Sequence, residues 1–336
     1  MTNIKDIAKI SGFSINTVAN ALLDKKNVKK TTKETIKRIA ENLNYIPNAI
    51  ARSLVSKKSH LIALLIHSIG DPFYTELINH IEKFVYSSNY RLMLFNHNES
   101  IERQKKILQS ILEQGIDGVL ISPALNDKTI IEKIINYNIP FVILTRNYED
   151  FHVNFVGIDF KTGLKIVVDH FFKYNRKRIL NICGSDVTPT SKMRLLGYKN
   201  ALNTHNIEFD KELLIETIKN KEHLYYQLDN LIKSKKEVDA IYCYDYFTTT
   251  TVLEYCKTNN INIPKDIAVI GYEFESFCNN SYIPLTTLKM DIFTISKNAW
   301  LILKQLIDSK NSSKLVKNIY TAPELIIRES CGEKIK

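Results

Sequence analysis

The chain has 336 residues, of which 44% are hydrophobic, so it is long enough to bury a large core and to form two or three domains. Its apolar runs, such as 61–66 and 119–122, have the length of strands rather than of membrane spans, and the N-terminus has no apolar segment typical of a signal peptide. The five cysteines show no metal-ligand spacing, so we expect reduced thiols in a cytoplasmic protein that binds no metal and no membrane.

Positive charge is concentrated near the N-terminus. The net charge of the whole chain is +10, and residues 1–60 hold twelve basic against four acidic side chains, which leaves +8 on this segment. A clustered excess of this kind attracts phosphate and releases counterions. We therefore expect the N-terminal segment to bind nucleic acid.

The first elements in chain order are short helices. Apolar residues at helical spacing predict helices over 4–11 and 15–22, and the glycine-containing turn between them gives the pattern of a helix-turn-helix. A capping box formed by Thr31 and Glu34 predicts a third helix that runs to about Tyr45. This N-terminal segment is therefore predicted to be an all-α headpiece.

Beyond residue 60, strand runs alternate with helical stretches. The predicted strands are 61–67, 91–96, 117–122, 140–145 and 155–159, followed by 178–183, 213–217, 239–244 and 267–272. The predicted helices are 73–88, 102–113, 128–137, 192–204, 222–233 and 248–259. Alternation of this kind predicts parallel sheets with helices on both faces, and its recurrence predicts an α/β body of two similar Rossmann-like lobes. Ligands of such sheets bind beyond the carboxyl ends of the strands, which here is the cleft between the lobes.

We expect three parts in the chain, with the hinge helix and the lobe bounds implied by the family resemblance that the motifs below carry. They are a helix-turn-helix headpiece at 1–46, a hinge helix and linker at 47–59, and a body at 60–336. Within the body, the N-lobe takes about 60–158 and 290–318, and the C-lobe takes about 159–289 and 319–332.

Several short motifs, in this order and spacing, resemble the LacI/GalR family of bacterial transcription repressors along essentially the whole chain. They are IKDIA at 4–8, TV at 17–18, NYIPNAIARSL at 44–54, DPFY at 71–74, QGIDG at 114–118, RLLGY at 194–198, IPKDIAVIGY at 263–272 and PLTT at 284–287. The resemblance implies a periplasmic-binding-protein-like body and a repressor that binds double-stranded operator DNA and a small-molecule effector. We expect that effector to be a sugar or a sugar derivative.

The resemblance also implies which headpiece residues contact DNA. The second helix is expected to enter the major groove, with Ser14 as its N-cap, Ile15, Asn16 and Asn20 at base edges, and Thr17 on a phosphate. Where the family usually has Ser-Arg, this chain has Ala19-Asn20. The arginine contact to guanine that is common in relatives is therefore absent, and we expect an A/T-richer half-site.

In the family, the segment after the headpiece folds on DNA and inserts a leucine into the minor groove. The matching positions here are Asn48, Ala51 and Leu54, with Leu54 as the wedge. The alternative is a flexible linker whose Leu54 touches the body. One headpiece reads too few bases for useful specificity, so we expect a homodimer on a pseudo-palindromic operator, with the helix near 73–85 as a candidate interface. The short tail after 327 has no room for a tetramer-forming heptad helix.

By the same resemblance, the effector site lies between the lobes. Its candidate residues are Phe73, Arg146, Arg194, Tyr244, Asp245 and Glu273. Arg194 is the first choice, because a guanidinium fork suits hydroxyl pairs, carboxylates or phosphates. Phe73 can stack on a ligand ring or belong to the lobe core, and Arg146 can bind ligand or form a structural ion pair. Tyr244 stands where relatives commonly have Asn, and Glu273 where they have Asp, so the pocket chemistry of this chain differs.

An enzyme is the main alternative class. The sequence contains no Gly-x-Gly-x-x-Gly after a strand, no Walker loop, no His-Glu-x-x-His and no Gly-x-Ser-x-Gly, and its histidines are scattered. We therefore predict no catalytic residues and no cofactor. The remaining alternatives are a cytoplasmic sugar-binding protein and a DNA-binding protein without a small-molecule effector.

Overall fold

The computed structural model describes residues 2–46, 58–148, 150–184, 187–216, 220–233, 237–272, 278, 281–309 and 316–332. The chain divides into two compact units, Met1–His60 and Leu61–Lys336, each with its own internal contacts. The predicted hinge residues Asn48, Ala51 and Leu54 lie outside the described residues.

Residues 2–46 of the first unit form a helical headpiece. Its helices are α1 (Ile4–Ser11), α2 (Ile15–Leu22) and α3 (Lys30–Asn42). The side chain of Asn3 caps α1 in a capping box with Asp6, and Gly12 ends the helix in the left-handed region at φ 72°, which glycine adopts without strain. The hydroxyl of Ser14 then accepts a hydrogen bond from the Thr17 amide and begins α2. The predicted helix-turn-helix and the predicted Ser14 cap are confirmed.

The capping box predicted for α3 is wrong. The helix begins at Lys30 after Lys29, whose side chain forms no cap, so Thr31 lies inside the first turn. There the Thr31 carbonyl accepts a hydrogen bond from the Thr35 hydroxyl, as expected within a helix rather than at its cap. The helix ends at Asn42, three residues before the predicted end. Its position is set by packing, because Ile36 and Ala40 are buried against α1 and α2 in the headpiece core.

The described part of the second unit contains two six-stranded sheets. Its strands are β1 (Leu61–Ile66), β2 (Arg91–Asn96), β3 (Gly118–Ile121), β4 (Phe141–Leu144), β5 (Phe155–Ile158), β6 (Ile179–Ile182), β7 (Leu214–Ile215), β8 (Ala240–Cys243), β9 (Ala268–Tyr272), β10 (Thr286–Lys289), β11 (Asn318–Thr321) and β12 (Glu324–Ile326). Its described helices are α4 (Pro72–Ser87), α5 (Ile101–Glu113), α6 (Thr129–Asn136), α7 (Phe160–Lys173), α8 (Pro189–Thr204), α9 (Lys221–Lys233), α10 (Tyr246–Thr258) and α11 (Ile292–Asp308). No helix among the described residues is long and apolar enough to cross a membrane.

The strand order is β11-β5-β4-β3-β1-β2 in the first sheet and β12-β10-β9-β8-β6-β7 in the second. Both sheets are buried on two faces: in β1, for example, Leu64 and Leu65 belong to different apolar clusters on opposite sides of the sheet. The paired strands are parallel, as predicted, with one exception. Strand β12 runs antiparallel to β10, with Ile326 opposite Thr287. The predicted headpiece with a two-lobed α/β body is confirmed.

The chain passes between the lobes three times in the described residues. It leaves the first sheet after β5, returns after β10 into α11, and leaves again between β11 and β12. Because β11 pairs with β5 in the first sheet, the last passage falls after Thr321 and not at the predicted 318.

The sequence reasoning named neither α7 nor α11, nor the strands β10 to β12. In α7, apolar residues occupy more than one face, because the helix packs against α8 as well as against the second sheet. The helix begins at Phe160, directly after its cap Asp159, which is the last residue of the predicted strand 155–159, so no loop residues mark its start.

The contact between α7 and α8 depends on Gly197. A Cβ at this position would lie 2.9 Å from the Phe160 carbonyl oxygen and 3.0 Å from Lys161 Cα, which are backbone atoms that cannot move away separately from the helix. We expect Gly197→Ala to lower the free energy of unfolding by about 1–2 kcal/mol, since overpacking costs more than the helix propensity that alanine adds. Leu196→Ala is the matched control, because Leu196 is 58% exposed. Urea unfolding of both variants measures the difference, and equal stability would contradict this packing role.

Candidate functional site

A cavity of about 300 Å³ lies where the carboxyl ends of the two sheets meet. Its walls come from the last residues of β5 and β9, from residues that follow β1, β2, β3, β4, β6, β8 and β10, and from the N-terminal turns of α4, α7, α8 and α10. Its volume is at the low end of the range for small-molecule pockets, and its position is the one expected for ligands of parallel sheets.

The structure brings most of the predicted effector residues together in this cavity. Phe73, Arg146, Arg194, Tyr244 and Asp245 all line it. The sixth, Glu273, lies outside the described residues. Their roles in binding stay a prediction, since the structure contains no ligand.

Arg194 is held in place without an acidic partner among the described residues. Its Nε donates a hydrogen bond to the Cys183 carbonyl at 3.0 Å, and its Nη2 donates to Ser191 Oγ at 2.9 Å. The guanidinium lies 4.2 Å from the centre of the Tyr244 ring, where a cation–π contact fixes its plane. The side chain is only 8% exposed, so it presents an oriented, uncompensated positive charge to the cavity.

Arg146 forms a structural ion pair, which was one of the two predicted alternatives. Both of its Nη atoms donate to the carboxylate of Glu99, and Nη1 also donates to the Pro123 carbonyl. Burial raises the pKa of Glu99, but the hydrogen bonds and charge of Arg146 outweigh burial and hold that pKa below its ordinary value. Because its charge is matched, Arg146 braces the loops after β2, β3 and β4 and is less available to a ligand than Arg194.

A short chain of hydroxyl groups runs beside this pair. The Tyr74 hydroxyl lies 2.9 Å from Ser122 Oγ, which in turn lies 2.9 Å from Thr145 Oγ1. The ring of Phe73 packs edge-on against Tyr74 with centroids 5.1 Å apart. Phe73 therefore belongs to the lobe core, as one of the two interpretations predicted, and it also lines the cavity, so its stacking on a ligand ring stays a prediction.

Two carboxylates face the cavity from the N-termini of helices on opposite lobes. Asp71 caps α4 by accepting a hydrogen bond from the Phe73 amide at 2.9 Å, and Asp245 caps α10 by accepting one from the Thr248 amide at 2.8 Å. The pKa of Asp71 is raised to about 6, mainly by burial and also by the charge of Asp245, and the Phe73 amide and Arg194 offset only part of this rise. Asp71 is therefore a carboxylate that the unliganded protein leaves poorly compensated.

His67 follows β1 and also lines the cavity. Its Nδ1 atom is buried and has no hydrogen-bond partner among the described residues. Burial lowers the pKa of His67, and the charge of Arg146 lowers it further against the opposite effect of Glu99, so the ring is neutral near pH 7. The ring therefore lines the cavity as a neutral group, while its Nδ1 atom is enclosed by the protein.

Sequence reasoning missed His67, Asp71, Tyr74 and Glu99 as cavity residues. A signal existed for Asp71, because Asp-Pro directly after a strand run marks the start of a helix at the carboxyl edge of a sheet. No comparable sequence signal identified Glu99, because its position at the cavity depends on the ion pair with Arg146, a residue 47 positions further along the chain.

In the headpiece, the predicted DNA-contacting residues lie on the exposed side of α2. Ser14, Ile15 and Asn16 are exposed, with Ile15 at 47%, while Thr17 and Asn20 are partly buried. Asn20 Nδ2 lies 3.4 Å from Asn16 Oδ1, so the two amides are neighbours on one surface. The hydroxyl groups of Ser14 and Thr17 are 2.9 Å apart. Their contacts with DNA stay a prediction.

Chemistry other than binding has little support in the described residues. No group of three or more His, Cys, Asp or Glu side chains in the described part of the chain could hold a metal ion. All five cysteines are buried, and none of them forms a disulfide.

A helix-turn-helix headpiece and a two-lobed body with a cavity between its sheets define a DNA-binding protein with a ligand-binding body. Comparison with known families makes the class specific. Residues 3–48 match the model described as bacterial regulatory proteins, lacI family, and residues 168–331 match the periplasmic binding protein-like domain. The chain belongs to the LacI family and is a DNA-binding transcriptional repressor of that family.

Individual relatives agree with this assignment. The chain is 26% identical to the HTH-type transcriptional repressor PurR of Vibrio atlanticus (strain LGP32) over 331 residues, 98% of each protein. It is 27% identical to the probable HTH-type transcriptional regulator EndR of Paenibacillus polymyxa, again over 98% of each. These relatives are transcriptional regulators and not enzymes.

Solved structures share the fold. The lac repressor dimer bound to operator and the anti-inducer ONPF is similar with a TM-score of 0.87 at 20% identity, over 98% of this chain and 99% of that one. The complex of the transcriptional regulator CelR with cellobiose is similar with a TM-score of 0.74 at 20% identity, over 98% of this chain and 100% of that one.

The poorly compensated carboxylate of Asp71 gives a test of the cavity electrostatics. We expect Asp71→Asn to raise the free energy of unfolding of the unliganded protein at pH 7.5 by about 1–3 kcal/mol, because each unit of pKa shift corresponds to about 1.4 kcal/mol. Asparagine caps helices as well as aspartate, so the bond to Phe73 is retained.

The sign of the pH dependence follows from the raised pKa. The native state binds the Asp71 proton more tightly than the unfolded chain, so the stability from this proton is present below the unfolded pKa of 3.8 and is lost as pH rises through about 6. The advantage of Asp71→Asn over wild type should therefore shrink between pH 7.5 and pH 5 in urea unfolding. Asp291→Asn, the same change at the exposed cap of α11, is the control. A destabilised variant at pH 7.5 would contradict this account.

Proposed function

We propose that the protein is a homodimeric repressor whose affinity for a pseudo-palindromic operator is switched by a small metabolite bound in the cavity between the lobes. The observation that carries this proposal is the cavity itself, which is lined from both lobes by an oriented guanidinium, two carboxylates and an imidazole ring. Poorly compensated polar groups of this kind are costly in an empty site and are compensated when a ligand binds.

The position of the cavity suits a switch. Arg194 and Asp245 belong to the second lobe and Asp71 to the first, so a ligand that contacts all three favours one particular relation between the lobes. The lobes are joined by three short passages, which permit relative movement. A ligand shifts the equilibrium between two arrangements by its difference in affinity for them.

The effector is expected to be a sugar or a sugar derivative. One solved structure with this fold is a complex with cellobiose, and another holds the anti-inducer ONPF. In this chain, the cavity lining contains hydroxyl-bearing, charged and aromatic side chains, which suits a ligand with many hydroxyl groups.

On DNA, α2 is proposed to read base edges through Ile15, Asn16 and Asn20. An isoleucine can contact a thymine methyl group, and asparagine can make a bidentate pair with adenine, so an A/T-richer half-site is proposed. Asn48, Ala51 and Leu54, which lie outside the described residues, remain the proposed minor-groove segment. A homodimer would place two such headpieces on the two half-sites.

Asn16 offers a direct test of base reading. Asn16→Ala is expected to weaken binding to the operator selected from a randomised duplex pool by about 1–3 kcal/mol and to relax one base position in each half-site. Fluorescence anisotropy at constant salt measures the affinity, and repeated selection measures the specificity. Asn42→Ala, the same change at an exposed position at the end of α3, is the matched control. An unchanged base preference for Asn16→Ala would remove this residue from the interface.

Arg194 offers a test of the switch. Arg194→Ala is expected to abolish the change in operator affinity that an effector sugar causes in wild type, a coupling of about 1–3 kcal/mol in typical allosteric proteins, with operator binding retained. Arg194→Lys keeps the positive charge but lacks the planar guanidinium group, so we expect it to restore only part of the response. Operator titrations with and without the sugar give the coupling. A full response in Arg194→Ala would exclude Arg194 from the site.

A further inference from the structure

The outer face of α2 carries two asparagines one helical turn apart. Asn16 and Asn20 each lie two positions from Val18, which is buried in the headpiece core, so both side chains are on the opposite side of the helix. Asn20 Nδ2 donates a hydrogen bond to Asn16 Oδ1 at 3.4 Å. Ala19, the other residue one turn beyond Asn16, has no polar side-chain atom. Asn20 is therefore the neighbour on α2 whose side chain can orient the Asn16 amide.

The two asparagines differ in how far they reach toward DNA. Asn16 is exposed and belongs to the first turn of α2, which the hydrogen bond from the Thr17 amide to Ser14 Oγ fixes. Asn20 is partly buried and lies about 6 Å further along the helix axis, where the Lys25 amide donates to the Asn20 carbonyl and the chain turns back. A recognition helix contacts base edges with its N-terminal residues. The Asn16 side chain therefore meets a base, and the short Asn20 side chain stays behind it.

The orientation of an asparagine amide decides which base it reads. Adenine offers an N6 donor and an N7 acceptor, so an asparagine that reads it presents Oδ1 to N6 and Nδ2 to N7. Guanine O6 and thymine O4 are acceptors, and a reversed amide would offer its Nδ2 to either of them. The two ends of the amide have nearly the same shape, so a hydrogen-bond partner has to select between the two orientations.

The hydrogen bond from Asn20 selects the orientation that suits adenine. Asn16 Oδ1 has two lone pairs, so it accepts from Asn20 with one and can accept from adenine N6 with the other. A reversed Asn16 would place its Nδ2 against Asn20 Nδ2, two donors without an acceptor. Asn16 can therefore reverse only if Asn20 reverses as well, a restriction that a single asparagine would not have.

We propose that Asn20 is a positioning residue, which holds the Asn16 amide with its oxygen toward adenine N6, and that the two asparagines together read one A·T base pair in each half-site. This inference rests on the proposed reading of DNA by α2 and deepens it. It assigns to Asn20 an effect on base preference that acts through Asn16 rather than through a contact with a second base.

A double-mutant cycle separates these two mechanisms. The full-length protein, Asn16→Ala, Asn20→Ala and the double variant are each offered a duplex pool with randomised half-sites, and base preferences and dissociation constants are measured at constant salt. We expect both single variants to relax the same base position, with its A·T preference reduced about fivefold or more, and the double variant to bind no worse than Asn16→Ala. Asn42→Ala, at the end of α3, is the matched control and should change neither quantity.

Replacing the donor by an acceptor tests the orientation itself. Asn20→Asp keeps the shape of the side chain, but a carboxylate only accepts hydrogen bonds, so Asn16 must turn its Nδ2 toward position 20. We expect the preference at that base position to shift about fivefold or more from adenine toward guanine or thymine. This preference is a ratio of affinities within one variant, so the added negative charge does not bias it. Asn20→Gln retains a donor at the same helical spacing and should keep the preference for adenine.

Each other result overturns the inference. Relaxation of two different base positions with additive losses would show that Asn20 reads a base directly, and an adenine preference that persists in Asn20→Asp would show that the hydrogen bond does not set the orientation. If Asn16→Ala keeps the base preference of the wild type, the inference fails and the DNA-binding function stands. If the wild-type protein selects no palindromic duplex, the proposed function fails as well. Binding of every variant to random duplex at low salt shows that its headpiece is folded.

Discussion

The whole arrangement depends on the meeting of two sets of strand ends at one cleft. Parallel sheets collect at their carboxyl edges the loops and helix N-termini that no core can cover. Here the two sheets turn these edges toward the same cavity, where Asp71 is poorly compensated and Arg194 has no acidic hydrogen-bond partner among the described residues. A protein without a ligand would gain stability by replacing such groups. We therefore infer that a ligand compensates these groups when it binds, and that this compensation contributes to the free energy of binding.

The two arginines of the cavity show how local partners divide structural and binding roles. Arg146 is matched by Glu99 and by backbone carbonyls, so its cost of burial is already offset. Arg194 is oriented by a carbonyl, a hydroxyl and an aromatic ring, none of which neutralises it. Arginine at position 146 therefore stabilises the loops of the first lobe. Arginine at position 194 presents its positive charge across the cleft to Asp71.

Much of this organisation could be predicted from the sequence, and the failures have physical causes. The alternation of apolar strand runs with helical stretches predicted the two lobes, and the glycine turn between two helical periodicities predicted α1 and α2. Both signals are local in the sequence. The helix α7 was missed because only Asp159 separates it from β5, and the cap of α3 was misplaced because core packing of Ile36 outweighed the local capping pattern. In the site, the motif resemblance led to Arg194 and Tyr244. The ion pair of Glu99 and the limited compensation of the Asp71 charge depend on contacts between residues far apart in the sequence. The spacing of residues along the chain therefore could not predict them.

The central claim is that the cavity and the operator are energetically coupled, and reciprocal titration tests it most directly. The sugar that raises the thermal midpoint of the protein most is identified first. Its dissociation constant is then measured with and without saturating operator duplex, and the dissociation constant of the operator is measured with and without saturating sugar. The account predicts two equal ratios that differ from one, because thermodynamic linkage requires the coupling to be the same in both directions. A sugar that binds with the same affinity in the presence and absence of operator would contradict it.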